Sequence, residues 1–350
     1  MMTDSINSPA SGDWPALLKD AARTGGHGLR VARSPEKAVW KFRTASSIRS
    51  SPLLDDGTLY VLSVGGVIYA LDAASGTARW QVQIAGQIHS TPSLWGDAIL
   101  FGCDDGKVYA LNRLSGAKIW ATPTGAEVWT SPVIRDGIAF FGSADTRVYA
   151  VEAKTGRAKW TQALGGRIYS SIYAAEHQLY VGCGDGSLYC LDAASGKTLW
   201  KTPTGNGIDS SPVVAGELVF VGSEDFYFYA MNAIDGQIRW KYETGLGIAS
   251  SPAVFGDTVV VGSKDGNLYA FETQSGNLRW KAPAGEVVTS PPVIGDGVVC
   301  IQSGGIRALD LATGKEVWHA WLGGSVQSVP VLGSDTIYLA SLGGEVYALR

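Results

Sequence analysis

The sequence lacks the features that mark several common classes of function. It has four cysteines in 350 residues, and no pair has the C-x-x-C spacing typical of zinc or redox sites. It has no apolar run of about 18 residues, so no transmembrane helix is predicted. The formal net charge is −4, which argues against a nucleic acid or an anionic membrane as partner.

The beginning of the chain has no basic segment followed by an apolar run, and no cysteine for a lipid anchor. We therefore expect a cytoplasmic protein, and the four cysteines fit a reducing compartment as buried core residues. Residues 1–35 precede the regular part of the chain and are predicted to form a partly disordered arm, in which Trp14 needs a place to pack. Residues 36–350 are predicted to form a single domain.

A tryptophan returns at a nearly fixed interval from Trp40 to Trp318. Six of the intervals are 40 residues and the last is 38. A fixed period of this length indicates stacked repeats. The tryptophans of the series are Trp40, Trp80, Trp120, Trp160, Trp200, Trp240, Trp280 and Trp318.

Each repeat is predicted to contain four short strands. In the first repeat these are residues 48–54, 59–63 and 67–71, followed by a strand that ends near Trp80, with turn residues between them. Four strands in about 40 residues are typical of a propeller blade. Seven of the eight first strands carry a proline, as at Pro52. Because proline cannot donate to a strand ladder, this strand is predicted to lie at the sheet edge, along a central channel.

The repeat count predicts how the ring closes. The third-strand pattern occurs eight times, but the last unit stops at Arg350 without a fourth strand. A strand of the fourth type, residues 38–43, stands alone before the first repeat. We therefore predict an all-β, eight-bladed propeller of four-stranded blades, in which the N-terminal strand completes the C-terminal blade and removes the exposed sheet edges.

The run Tyr189-Cys190-Leu191-Asp192-Ala193-Ala194-Ser195-Gly196-Lys197-Thr198-Leu199-Trp200 resembles the tryptophan-docking motif of pyrroloquinoline-quinone (PQQ)-like, BamB-like repeat propellers. The resemblance implies that each tryptophan stacks on the neighbouring blade. Quinoprotein dehydrogenases of this family bind PQQ and calcium and often carry adjacent cysteines, which this sequence lacks. We therefore expect no cofactor and no metal, and the resemblance favours the smaller members that act as binding scaffolds.

One position breaks the repeat while its two neighbours hardly change. Around the ring it reads Arg49, His89, Trp129, Tyr169, Asp209, Ala249, Thr289 and Gln327. Two residues earlier, Glu127 and Arg167 add charge, whereas Gly207 and Gly247 leave room. These residues are predicted to form a pocket at the mouth of the channel, because convergent polar groups beside aromatic rings are typical of ligand sites. Asp104, Glu224 and Lys264 are expected further out on the same face.

The mouth residues allow several interpretations. The first is a non-quinoprotein binding module that presents this face to a protein or a small ligand. The second is an enzyme acting on a small organic substrate, with Asp209 and His89 moving protons and Tyr169 donating a hydrogen bond, while Arg49 holds an anion and Trp129 stacks on a flat ligand. The third, a PQQ-dependent dehydrogenase, has the least support. The variable position also fits ordinary solvated surface. We expect a monomer.

Overall fold

The computed structural model describes residues 38–295, 297–303, 305–320, 328–333 and 335–350. The predicted N-terminal arm and Gln327 lie outside the described residues. Within them the chain forms strands and turns and no helix, so the described part also has no helix able to span a membrane.

The described strands number 32, and all are short. In chain order they are β1 Ala38–Arg43, β2 Leu53–Asp55, β3 Thr58–Leu62, β4 Val67–Asp72, β5 Ala78–Gln83, β6 Ser93–Trp95, β7 Ala98–Cys103, β8 Lys107–Asn112, β9 Lys118–Pro123, β10 Val133–Arg135, β11 Ile138–Gly142, β12 Arg147–Glu152, β13 Ala158–Ala163, β14 Tyr173–Ala174, β15 Gln178–Cys183, β16 Ser187–Asp192, β17 Thr198–Pro203, β18 Val213–Ala215, β19 Leu218–Gly222, β20 Tyr227–Asn232, β21 Ile238–Glu243, β22 Ala253–Phe255, β23 Thr258–Gly262, β24 Asn267–Glu272, β25 Leu278–Pro283, β26 Val293–Gly295, β27 Val298–Gln302, β28 Ile306–Asp310, β29 Glu316–Ala320, β30 Val331–Leu332, β31 Ile337–Ala340 and β32 Glu345–Leu349.

The strands form eight antiparallel four-stranded sheets, which are the eight blades of a propeller. Seven blades use four consecutive strands, in the pattern β2-β3-β4-β5. The eighth has the order β1-β32-β31-β30, with Ala38 paired to Leu349 and Arg43 paired to Glu345. The predicted fold class and its closure by residues 38–43 are therefore confirmed.

The repeating tryptophans join each blade to the next. Trp200 of the fourth blade donates from Nε1 to the Ala233 carbonyl of the fifth at 3.1 Å. Its ring lies against Gly236, where an added Cβ would come within 2.5 Å of the indole. Only glycine allows this close approach. The φ of Gly236 is +74°, a value that also favours glycine. The same bond is made by Trp40, Trp80, Trp120, Trp160, Trp200, Trp240 and Trp280.

Hydroxyl groups link the blades near the channel. Six backbone N–H groups, one in each of six blades, donate to a Ser or Thr Oγ of the following blade, as Ser171 does to Ser211 at 2.9 Å. One of these bonds runs from Val329 of the eighth blade to Ser51 of the first, also at 2.9 Å. Aliphatic residues that precede these hydroxyls, such as Ile208, are fully buried between blades. The ring is thus closed at its inner and outer edges.

Two predicted strand boundaries were wrong. Pro52 lies immediately before β2, not within the first strand, because a residue without an N–H group is best placed outside the ladder. Trp80 lies in the middle of β5 and not at its end, since the indole must reach the turn of the next blade. The prediction of buried cysteines is confirmed, because all four are unpaired and buried.

Removal of the terminal strand tests the closure of the ring. We expect residues 44–350 alone to lose cooperative unfolding, because β32 loses its partner and the Trp40 contact disappears. One buried indole contributes at most about 4–6 kcal/mol, against a typical domain stability of about 5–15 kcal/mol.

The control is a rearranged chain that keeps all 32 strands but carries the first strand at its C-terminal end. It runs from residue 44 to Arg350, continues with a copy of residues 193–197, which join β16 to β17, and ends with residues 38–43. We expect thermal unfolding followed by circular dichroism to be cooperative for this chain and not for the truncation. A truncation that melts like the full chain would contradict the closure.

Candidate functional site

One face of the propeller carries the predicted mouth residues. On this face, called the mouth face, the loop leading into each blade meets the turn between the second and third strands of the same blade. The Glu224 amide donates to the Gly207 carbonyl at 3.0 Å, and the Lys264 amide donates to Gly247 at 3.0 Å. Because these hydrogen bonds repeat around the ring, the mouth residues stand on a fixed backbone.

Three of the predicted residues form a row of rings across neighbouring blades. The His89 and Trp129 rings are 5.2 Å apart between centroids, and the Trp129 and Tyr169 rings stack at 4.8 Å. Trp129 is nevertheless 41% exposed. Such rings present a flat apolar surface with polar edges, which suits a binding site. The sequence prediction that these residues come together is therefore correct.

Asp104 organises this row, and its part was missed by the sequence analysis. Its Oδ1 accepts a hydrogen bond from Trp129 Nε1 at 2.7 Å, and its Oδ2 lies 3.5 Å from His89 Nε2. The expectation that Asp104 stands further out was wrong, because its turn folds back over the lead-in loop. The sequence did contain a signal for this role. Asp104 lies in the turn of the second blade, which stands between the blades that carry Arg49 and Trp129.

The protonation of His89 is set by opposing neighbours. Burial and the Arg49 charge lower the pKa of His89 below its ordinary value of 6.5, whereas the Asp104 carboxylate works in the opposite direction. The imidazole is therefore neutral at neutral pH. Arg49 itself is exposed and has no ion pair within the described part of the chain.

Arg167 adjoins the ring row at Tyr169, with Glu127 nearby. Arg167 donates to the Tyr169 hydroxyl at 3.3 Å, and this bond together with the nearby Glu127 charge raises the pKa of Arg167. The guanidinium is thus held beside the aromatic rings. The four residues Arg49, His89, Trp129 and Tyr169, with Asp104 and Arg167, are called the aromatic arc below.

Asp209 belongs to a different cluster from the aromatic arc. Partial loss of hydration raises the pKa of Asp209, although its side chain stays accessible. The Glu224 charge raises the pKa of Asp209 further, whereas the Lys264 charge lowers it. Lys264 Nζ lies 2.6 Å from Glu224 Oε1. The space predicted beside Gly247 is also taken, because an added Cβ there would lie 2.3 Å from Glu224 Oε2. Glu224 and Lys264 were wrongly expected further out.

A strained aromatic residue stands on the same face as both clusters. Phe226 has a φ of +78° at a position where Gly66, Gly106, Gly186 and Gly266 have φ values from +77° to +80°. Bulky side chains avoid this conformation, at a cost of roughly 1–2 kcal/mol. The Phe226 side chain is still 42% exposed, so a large part of the ring stays open to solvent.

Leu246 extends the exposed apolar surface at Phe226. It is 46% exposed, and the Thr244 hydroxyl lies within hydrogen-bonding distance of both carbonyls, at 2.9 Å from Phe226 O and 2.7 Å from Leu246 O. The sequence analysis missed this apolar pair. A comparison of the turn position among the repeats could have found Phe226, because most repeats have glycine there.

The mouth face does not fit a quinone bound with calcium. Asp104 is occupied by Trp129 and His89, and the Lys264 ammonium already neutralises Glu224. In the part of the chain that the structure describes, no group of three or more His, Cys, Asp or Glu side chains could hold a metal ion. Within the described residues, these side chains therefore supply no cluster of acidic ligands for calcium beside a stacked quinone.

The fold is that of an eight-bladed repeat propeller, with an ordered cluster of aromatic and charged side chains on its mouth face. The sequence model of a family described as outer membrane protein assembly factor BamB matches residues 22–166, 121–186 and 144–350. The chain belongs to this family of PQQ-like repeat propellers. No curated protein sequence matches the chain.

Solved structures similar to the chain include a BamB protein and two dehydrogenases. BamB from Moraxella catarrhalis is 18% identical, with a TM-score of 0.78 over 90% of this chain and 99% of that one. Quinohemoprotein alcohol dehydrogenase from Comamonas testosteroni is 15% identical, with a TM-score of 0.85 over 98% and 81%. A europium-containing methanol dehydrogenase is 14% identical, with a TM-score of 0.82 over 97% and 98%. These likenesses establish the fold alone.

The electrostatics of the aromatic arc can be tested by titration. We expect His89 to titrate below pH 6.5, and the substitution Asp104→Asn to lower its pKa further, because only the influences of burial and Arg49 remain. Since the folded pKa is the lower one, the stability from neutral His89 is present above pH 6.5 and is lost as the pH falls. The measurement is an NMR titration of the imidazole protons. A pKa that rises in Asp104→Asn would refute the assigned contacts.

Proposed function

We propose that the protein is a non-catalytic binding module that docks a segment of a partner protein on its mouth face. The observation that carries the proposal is Phe226, an exposed aromatic side chain kept in a backbone conformation that favours glycine. Backbone strain at an exposed aromatic side chain points to a role in function, because such strain collects at binding sites. Exposed aromatic residues are also the side chains that most often anchor protein interfaces.

The aromatic arc supports the same proposal. Trp129 is held by Asp104 and stacked on Tyr169, so little conformational freedom is left for a partner to remove on binding. Arg49 and Arg167 offer guanidinium groups beside the rings, which suit a carboxylate on the partner. The arc spans the first to fourth blades, Phe226 lies in the adjacent fifth blade, and Leu246 lies in the loop leading into the sixth. An extended protein segment can reach both areas.

Membership of the family favours a protein partner. Its description as an assembly factor is that of a protein that works with other proteins, and the similar BamB structure is nearly the same size as this chain. We extend from this relation only the use of the propeller as a scaffold. The cytoplasmic location and the monomeric state remain predictions from the sequence.

A second candidate function is an enzyme acting on a small organic substrate. The observation that favours it is that two pKa values at the mouth are shifted in opposite directions. The pKa of His89 is lowered and the pKa of Asp209 is raised. The lowered pKa leaves His89 a neutral imidazole that can accept a proton, and the raised pKa brings the Asp209 carboxyl nearer to neutral pH. If the protein is an enzyme, His89→Ala and Asp209→Asn should abolish turnover and Phe226→Gly should not.

Phe226→Gly tests the binding module. We expect the variant to stay folded, because the relief of strain offsets part of the packing lost with the ring, and to bind the partner roughly tenfold more weakly or worse after the loss of an anchor. The matched control is Thr146→Gly, because Thr146 occupies the same position in the third blade with a φ of +74°. This control should also stay folded, and it should keep full binding.

The measurements are urea unfolding and quantitative capture from a lysate of the native organism. Proteins retained by the unsubstituted chain and by Thr146→Gly, but lost from both Phe226→Gly and Trp129→Ala, are the expected result. If all four chains capture the same proteins in the same amounts, the mouth face is not the docking surface.

A further inference from the structure

A cavity lies between the third and fourth blades, on the face opposite the mouth. Its volume is about 300 Å³. The third blade contributes the turn between β10 and β11 with the apolar residues Ile138 and Phe140, and the fourth contributes Glu176, His177 and the residues 192–194. The cavity is independent of the mouth face and of the function proposed for it.

The equivalent groove between the first and second blades is filled by an ion pair. There the Arg113 guanidinium of the second blade bonds to the Asp55 carboxylate of the first, and the Tyr60 hydroxyl donates to the Arg113 carbonyl at 3.1 Å. Burial raises the pKa of Asp55 and Arg113 opposes that shift. This groove shows how the site between blades can be closed by the chain's own side chains.

The cavity has a charged residue at one of the two equivalent positions and an alanine at the other. Arg135 occupies the position of Asp55, and Ala193 occupies the position of Arg113. Among the described residues, Arg135 reaches only the Ala174 carbonyl at 3.5 Å and the exposed Asp136 carboxylate at 3.8 Å. Its Nε is buried and has no hydrogen-bond partner in that part of the chain, as in Arg113, but no carboxylate there bonds to its terminal nitrogens. The space left by Ala193 is where such a carboxylate would fit.

The remaining surroundings restrict the chemistry of a ligand. Ile138, Phe140 and Ala193 provide an apolar wall, whereas Asp136, Glu176 and Asp192 place acidic groups around the opening. The Asp192 carboxylate is held by the Ser195 amide at 2.8 Å. A simple anion would be repelled by these three acids, but a molecule with a carboxylate, an ammonium group and an apolar body matches all three kinds of surface.

We propose that this cavity binds a free α-amino acid with an apolar side chain. The ligand carboxylate pairs with the Arg135 guanidinium, as the Asp55 carboxylate pairs with Arg113. The ammonium group lies towards the acidic opening formed by Asp136 and Glu176. The side chain packs on Phe140 and Ile138. Bidentate pairing with a carboxylate is the geometry that a guanidinium favours.

Calorimetry on the full chain tests the ligand class. The probes are L-leucine and L-phenylalanine, and at least one of them should bind saturably. Phenylalaninamide lacks the carboxylate and 3-phenylpropionate lacks the ammonium group, so both should bind roughly tenfold more weakly than L-phenylalanine or worse. If neither amino acid binds saturably, or if the two analogues bind as well as L-phenylalanine, the proposal is overturned.

Three variants locate the binding. Arg135→Gln should weaken binding roughly tenfold or more, and Ala193→Glu should abolish it by supplying a carboxylate from the chain and filling the space. Arg157→Gln is the control, since it removes an arginine from an exposed pair with Glu152 on the same blade and face. Melting temperatures check that each variant is folded. Equal affinity for the amino acid in all three variants would place the site elsewhere.

Discussion

The stacking of a fourth-strand tryptophan on a glycine of the next blade, seen for the seven tryptophans from Trp40 to Trp280, is the contact on which the architecture depends. It combines a buried ring, a hydrogen bond to a carbonyl and a glycine that allows contact closer than a Cβ would permit, as in Trp200 on Gly236. Because this contact crosses from one blade to the next, a blade lacks part of its core until its neighbour is in place. The ring therefore requires the strand Ala38–Arg43, which brings Trp40 to the first blade.

The same packing leaves defined places where function can develop. Buried positions have the same kind of residue in every blade, whereas side chains at the channel mouth and in the grooves between blades can change without breaking the ring. Trp129 stands on a backbone that is held by hydrogen bonds and is fixed further by Asp104. Arg135 and Ala193 occupy a groove that Asp55 and Arg113 fill elsewhere. In both cases a departure from the repeat gives a preorganised surface.

The fold could be predicted almost completely from the sequence, because the 40-residue period expresses the tryptophan contact directly. The row of His89, Trp129 and Tyr169 was also predictable, since adjacent blades place one repeat position side by side. The pairing of Asp104 with this row and of Glu224 with Lys264 was not, because it depends on how the turns fold over the loops. The strain at Phe226 needs the backbone φ, which the sequence only suggests through glycine in the other repeats.

The central claim is that the first described strand is an integral part of the last blade. Native-state hydrogen exchange followed by mass spectrometry tests it most directly, on peptides that cover β1 and β32. If Trp40 and the pairing with β32 hold the ring together, the β1 amides bonded to β32 should exchange only through global unfolding, at the same free energy as the amides of β32. Rapid exchange of residues 38–43 from a chain that is otherwise protected, as in a frayed terminus, would contradict the account.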